Sequence, residues 1–247
     1  MIVGFCGSGS MAAAMARGWA GATSMLFTDS GSGRAGDLAA EVGGEALDTN
    51  AELAERADLV VLAFKPAMLD EGAPELQAAG RVVSLLGATP LAHLEDRFPG
   101  ASVTRVMPNL AAEVNRGVLC VAGETGDPEL RALLEHLGHV VELPDEQFDT
   151  ATAVMGCAPA YLALAIEAIA DAGADDGLDE ELSRELVVET ALGTAELLRR
   201  RHPSDVQSAV ASPGGSTEAG LEALDEEGAR EAFEAAVRAS LERMRGG

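Results

Sequence analysis

The chain opens on an apolar run, Ile2-Val3-Gly4-Phe5-Cys6, that turns through Gly7-Ser8-Gly9-Ser10-Met11-Ala12 into an Ala-rich stretch, Ala13 to Ala20. No other feature restricts the fold as much. A G-x-G-x-x-A turn between a first strand and a first helix is the signature of a βαβ unit that takes a dinucleotide. Gly7 permits the tight turn, Gly9 lets a pyrophosphate approach the backbone, and Ala12 lets the helix pack on the strand. Gly7, Ser8, Gly9, Ser10 and Met11 are therefore candidate cofactor contacts.

The chain beyond the turn supports this reading. Apolar runs at Ile2–Phe5, Met25–Thr28, Leu59–Phe64, Val82–Leu86, Ser102–Val106, Val118–Ala122 and Val140–Leu143 predict strands. Between them, Met11–Ala20, Ala35–Val42, Asn50–Arg56, Leu69–Ala79, Leu91–Arg97 and Pro128–Leu137 predict helices. Strands that are apolar throughout and separated by helices indicate a mostly parallel sheet covered on both faces. The direction of the last strands stays open. From Thr150 onward the pattern is helical only: Thr152–Ala172, Glu180–Arg201, Pro203–Ala209, Glu218–Leu224 and Ala229–Arg245. The expected architecture is an α/β, Rossmann-like dinucleotide-binding domain over residues 1–148, followed by an all-α substrate-binding and dimerisation domain over residues 149–247.

Composition narrows the partners. A formal net charge of −24 repels nucleic-acid phosphates and anionic lipid, so neither is expected as a partner. Aromatic residues make up only 3% of the chain, which predicts a core of Ala, Leu and Val. The three cysteines, Cys6, Cys120 and Cys157, are far apart, and no cluster has zinc-ligand spacing, so neither a disulfide framework nor a metal site is expected. No basic leader precedes Ile2. The apolar run Ala151–Ile166 contains Gly156 and Pro159 and is short for a bilayer span, which needs ~20 residues, so it reads as a buried helix of a cytoplasmic protein. Helices this rich in Ala and Leu commonly finish their burial against a second copy, so a homodimer or higher homo-oligomer is expected through the C-terminal helices.

Asp29 follows Gly9 by 20 residues at the end of the second predicted strand. That is the usual place for an acid on the ribose 2′-hydroxyl, which selects NAD(H). Ser30, Ser32 and Arg34 come next and suit a 2′-phosphate instead. A third reading makes Asp29 a cap for the next helix. Lys65, the sole lysine, and Pro66 end a strand at the sheet edge where ligands of such folds sit, and Asn109 ends another. All three are candidate cofactor contacts, and each has a structural alternative.

Near the C-terminus, Ser212-Pro213-Gly214-Gly215-Ser216-Thr217 leads directly into a helix. Such a turn gathers backbone N–H groups at the positive end of a helix dipole and suits a small carboxylate.

These segments together resemble the pyrroline-5-carboxylate reductase family. The resemblance rests on the Gly4–Ala12 turn, Ala63-Phe64-Lys65-Pro66, Arg105-Val106-Met107-Pro108-Asn109, Pro159-Ala160-Tyr161, Glu167–Gly173 and Ser212–Thr217, in the family's order and over nearly the whole chain. It implies reduction of 1-pyrroline-5-carboxylate to L-proline, with NADP(H) favoured and NAD(H) the alternative. It also implies that the backbone of Gly214, Gly215, Ser216 and Thr217 receives the substrate carboxylate, with Ser212 and Glu167 in the same site, and that the Ser216 hydroxyl serves the ring nitrogen as the catalytic group. Glu167 and Asp171, one helical turn apart, share a face. Departures stand at Cys157 (usually Ser), Ala158 (usually Gly) and Ser216 (usually Thr). They leave two further readings, a reductase of a related cyclic imino acid and a non-catalytic nucleotide-binding member of the fold.

Overall fold

The structure, a computed structural model, describes residues 1–246. The chain forms two compact units, Met1–Cys157 (with the residues from Leu241 onward) and Ala158–Ser240.

In the first unit the described strands are β1 (Ile2–Cys6), β2 (Ser24–Thr28), β3 (Glu45–Ala46), β4 (Leu59–Leu62), β5 (Arg81–Ser84), β6 (Ser102–Pro108), β7 (Gly117–Gly123) and β8 (Gly138–Glu142). They form one sheet in the order β3-β2-β1-β4-β5-β6-β7-β8. Gly4 of β1 lies opposite Leu26 of β2 on one side and Val60 of β4 on the other, both in parallel register. Strand order reverses between β1 and β4, which creates the crevice at the C-terminal strand ends where such sheets take ligands. The direction left open by the sequence is now resolved: β6 and β7 pair antiparallel, whereas β7 and β8 pair parallel.

The helices of this unit are α1 (Ser10–Gly18), α2 (Arg34–Val42), α3 (Asn50–Arg56), α4 (Leu69–Gly72), α5 (Leu91–Arg97), α6 (Pro128–Leu137) and α7 (Phe148–Ala151). Alternation along the strands explains how both sheet faces are covered. Val3, Phe5 and Val61 pack with Met15, Trp19, Leu38 and Leu134, while Cys6, Val60 and Leu62 pack with Leu53, Leu76 and Leu94 on the other face. The core is largely Ala, Leu and Val, as expected, with a few aromatics at its centre. Phe5 stacks on Phe27 at 5.3 Å, and the buried Trp19 donates its indole N–H to Leu133 O at 2.8 Å. The expected Leu69–Ala79 helix is broken into α4 and short 3-10 turns at 66–68 and 73–76. Pro74 lacks the N–H that would continue the α-helical ladder.

The second unit is helical: α8 (Ala158–Asp175), α9 (Glu180–Leu198), α10 (Pro203–Val210), α11 (Ser216–Glu226) and α12 (Ala229–Arg245). Asp179 caps α9 by accepting from the N–H groups of Glu181 and Leu182. Ser183 Oγ donates to Ala170 O at 2.7 Å and ties α9 to α8, while the Tyr161 hydroxyl lies 2.5 Å from Ser240 Oγ and ties α8 to α12.

The run Ala151–Ile166 is not one buried helix. A π-helical turn, Thr152–Gly156, precedes α8, which starts at Ala158 with Pro159 in its first turn. Of the α8 residues only Ala170 is buried, and Leu162, Leu164 and Ile169 are 60%, 63% and 60% exposed. The whole helical run, Asp145–Asp175, is long and apolar enough to cross a bilayer by length and composition alone. Within its own unit α8 packs on α9, which leaves Leu162, Leu164 and Ile169 exposed.

Candidate active site

Gly7 sits at φ +100°, and a Cβ there would lie 2.7 Å from the backbone of Ala63 and Phe64. No side chain fits that approach, so glycine is required by the protein's own packing. The Gly7 N–H and the Ser8 hydroxyl both donate to Thr28 O at 3.1 Å and fasten the turn to the end of β2. Ser8 is therefore buried as a brace, not free as a donor to a ligand. Gly9 differs from Gly7. A Cβ there would meet only Ala63 O, at 3.9 Å, so the protein itself leaves that space free. Gly9 is also the N-cap of α1, with no capping side chain and no acid in the first turn. The leading N–H groups, the positive dipole end and the vacant Cβ position together fit a pyrophosphate. Ser10 is exposed beside it, and Met11 packs against the core.

Asp29 takes the third of the roles open to it. Its carboxylate accepts from the N–H groups of Gly31, Ser32 and Ala35 and from the Ser32 hydroxyl, at 2.6 to 3.0 Å. These bonds, led by the Ala35 N–H, hold the carboxyl below the usual carboxylate range. Asp29 therefore shapes the loop and caps α2, and its expected contact with ribose is corrected: four donors already occupy its acceptor sites. Ser30 and Arg34 remain exposed at the same loop, and Arg34 makes no ion pair among the described residues.

Asn50 was not singled out in the sequence. Its Oδ1 accepts from the Thr28 hydroxyl at 2.7 Å and the Cys6 thiol at 3.1 Å, and its Nδ2 donates to Glu75 at 2.9 Å. It joins the C-terminal ends of β1 and β2 to the turn at 73–76. Burial pushes the Cys6 thiol up to about 12, so it stays a neutral donor in this network.

Lys65 and Pro66 lie exposed at the exit of β4, directly after the Ala63–Phe64 backbone that Gly7 touches. Asn109 is corrected from cofactor contact to clamp. It is buried, accepts from Val118 N at 3.1 Å and donates to Met155 O at 3.2 Å, joining β6 and β7 to the π turn. Four residues earlier, Arg105 is buried to 3% exposure, pairs with Asp145 at 2.7 Å and lies 4.4 Å from the Phe148 ring centroid. Asp145 also accepts from Leu91 N at 2.9 Å. The signal for Arg105 was its place as the one charge inside the apolar run of β6.

In the second unit, Gly214 adopts φ +71° and the chain turns into α11 with Gly215 as N-cap. The Gly215 N–H donates to Ser212 O at 2.9 Å, which closes the turn. The Gly214 N–H donates to the Glu218 carboxylate at 2.6 Å. Two of the four expected donors, those of Gly214 and Gly215, thus already have acceptors. The N–H groups of Ser216 and Thr217 open the helix and have no earlier turn to donate to. The Ser216 hydroxyl is exposed. Glu167 and Asp171 are exposed on α8, and no hydrogen bond or ion pair joins either to the 212–217 turn among the described residues.

Comparison with known proteins follows the same two-part division. Residues 145–246 match pyrroline-5-carboxylate reductase dimerisation, and residues 2–86 match NADP oxidoreductase, coenzyme F420-dependent. The pyrroline-5-carboxylate reductase of Methanosarcina acetivorans is 32% identical over 98% of this chain and 96% of its own length. That of Synechocystis is 35% identical over 78% of this chain and 76% of its own length. Among solved structures, 1-pyrroline-5-carboxylate reductase from Streptococcus pyogenes superposes with a TM-score of 0.89 at 27% identity, covering 100% of this chain and 99% of that one. Plasmodium falciparum pyrroline carboxylate reductase, with NADP bound, gives 0.87 at 27% identity, covering 100% and 97%.

Proposed function

The chain belongs to the pyrroline-5-carboxylate reductase family, and from that premise we propose how its own residues carry the reaction. The enzyme reduces 1-pyrroline-5-carboxylate to L-proline, with NADP(H) as cofactor. Bound at the Gly-rich turn, the cofactor supplies the hydride that reduces the C=N carbon. The observation that carries the site assignment is the contrast between Gly7, which packing requires, and Gly9, whose open Cβ position lies at an uncapped helix N-terminus. The N–H groups behind Gly9 hold the pyrophosphate. Ser30 and Arg34 receive the 2′-phosphate, a role supported by their exposure and by the engagement of Asp29 elsewhere. Lys65 adds a positive charge at the exit of β4.

The substrate carboxylate sits on the N–H groups of Ser216 and Thr217 at the start of α11, where the dipole favours an anion. The Ser216 hydroxyl donates to the ring nitrogen of the neutral imine and assists its protonation. A protonated imine is already electrophilic, so alignment of donor and acceptor supplies most of the rate. Ser212 closes the turn through its carbonyl.

The family's dimerisation region supports homo-oligomerisation. We assign the contact to the exposed apolar faces of α8 and α9, in a homodimer or a multiple of it. The match begins at residue 145, where the long apolar run also begins. That run reads as a subunit contact and not a bilayer span, because its uncharged stretch, Thr150–Ile166, is short of the ~20 residues a span needs and contains Gly156 and Pro159. We place the enzyme in the cytoplasm, independent of nucleic acid and anionic membrane, a reading that its charge of −24 supports.

The test is NADPH oxidation on addition of 1-pyrroline-5-carboxylate. Ser216→Ala lowers kcat more than it raises KM if the hydroxyl acts in the transition state. A change in KM alone reduces Ser216 to a binding role.

A further inference from the structure

The turn that leads into α11 already engages a carboxylate. Glu218 is the third residue of the helix, and its side chain turns back to accept from the Gly214 N–H at 2.6 Å. In an ordinary capping box the third-residue acid reaches the N-cap N–H. Here the N-cap is Gly215, whose N–H is engaged with Ser212 O, so Glu218 reaches one residue further, across the mouth of the turn. Its carboxylate thereby sits at the N-terminal turn of α11, beside the segment that carries the Ser216 and Thr217 N–H groups. The dipole that would hold a substrate carboxylate holds Glu218 for the same reason.

We propose that Glu218 is a built-in competitor for the substrate carboxylate and a determinant of how tightly the enzyme takes its acidic substrate. The inference rests on the assignment of the substrate carboxylate to this turn. The mechanism is an exchange of acceptors: the substrate carboxylate displaces the Glu218 carboxylate from the Gly214 N–H, and the Glu218 side chain moves to water. Three donors, from Gly214, Ser216 and Thr217, then face the substrate acid. No covalent step is involved. The displaced acid charges a penalty only to substrates that carry a carboxylate and need this seat.

The experiment compares wild type, Glu218→Gln and Glu218→Ala on two cyclic imines, 1-pyrroline-5-carboxylate and 1-pyrroline, which lacks the acid. One net hydrogen bond removed from the competitor corresponds to roughly a five-fold change. The expected result is a fall of about that size in KM for 1-pyrroline-5-carboxylate in Glu218→Ala, with a much smaller change for 1-pyrroline. Glu218→Gln keeps a neutral acceptor for Gly214, so it guards against collapse of the turn and is expected to shift the KM ratio in the same direction. If KM for the carboxylated imine rises or stays level in both variants, Glu218 only braces the turn and the inference fails. A parallel shift for both imines also overturns it. Absence of 1-pyrroline-5-carboxylate turnover by the wild-type protein defeats the proposed function itself, and this inference with it.

Discussion

Exchanging either glycine of the first turn for alanine separates two causes of the same motif. At Gly7 the new Cβ falls 2.7 Å from Ala63 C and Phe64 N, both backbone atoms, and the φ of +100° is foreign to an L residue. The φ penalty is roughly 1–2 kcal/mol. Crowding against packed atoms adds about 1–3 kcal/mol. For a unit of this size each kcal/mol lowers the melting temperature by about 2–4 °C, so Gly7→Ala is expected to melt about 4–20 °C below wild type. It also moves the turn that carries the pyrophosphate donors, so NADPH affinity falls with it. At Gly9 the added Cβ meets only one protein atom, at 3.9 Å, and the backbone is ordinary. Gly9→Ala should therefore melt within about 2 °C of wild type, in the range of a surface change. Its cofactor affinity should nevertheless fall at least about ten-fold, because the methyl stands where the phosphate approaches. Differential scanning fluorimetry and NADPH fluorescence titration read the two quantities. Retained NADPH affinity in Gly9→Ala would refute the assignment of the vacant Cβ space to the cofactor. Wild-type melting of Gly7→Ala would refute the packing argument.

Three other changes probe different parts of the first unit. Asp29→Ala should weaken NADPH and NADH alike, since the carboxylate shapes the loop and touches neither ribose, and a loss confined to NADH would restore the direct contact. The native Asp29 pKa lies below the unfolded value of about 3.9, so its stabilisation stands above that pH and is lost as pH falls through the native value; the urea midpoints of wild type and Asp29→Asn should differ at pH 7 and converge in acid. Arg105→Met should cost about 1.5–3 kcal/mol in urea unfolding because it leaves the partly exposed Asp145 carboxylate with only the Leu91 N–H, and Asp145→Asn in the same chain should recover part of that; a loss under about 1 kcal/mol would mean that the pair is idle. With its thiol pushed up to about 12, Cys6 should react with iodoacetamide at pH 8 about a thousand-fold more slowly in the native protein than in the urea-unfolded chain, as peptide mapping would show.

The first unit was legible because its code is local. Val3, Phe5 and Cys6 alternate between sheet faces, and the Gly7–Ala12 turn has one structural meaning after a strand. The strand Glu45–Ala46 was not legible: it has two exposed residues and no pattern to read. The roles of Asp29, Asn109 and Arg105 depend on partners that lie elsewhere in the chain, such as Met155 for Asn109 and Asp145 for Arg105, and spacing does not reveal such partners. The exposure of α8 was missed for a different reason. An apolar helix states that it will be covered, but not by which chain. In the 212–217 turn the glycines and hydroxyls were readable, whereas the return of Glu218 to Gly214 was hidden, because an acid at the third helical position is also an ordinary surface residue.

The brace of Trp19 on Leu133 has a practical consequence. The chain has one tryptophan and one tyrosine, and they fall in different units: Trp19 in the first, buried with its N–H bonded, and Tyr161 in the second, bonded toward Ser240. Indole emission excited beyond the tyrosine band thus reports the nucleotide-binding unit alone. The phenol's absorbance change on ionisation reports the helical unit alone. A denaturation series followed at both wavelengths reads the two halves as separate spectroscopic channels, with no label and no substitution.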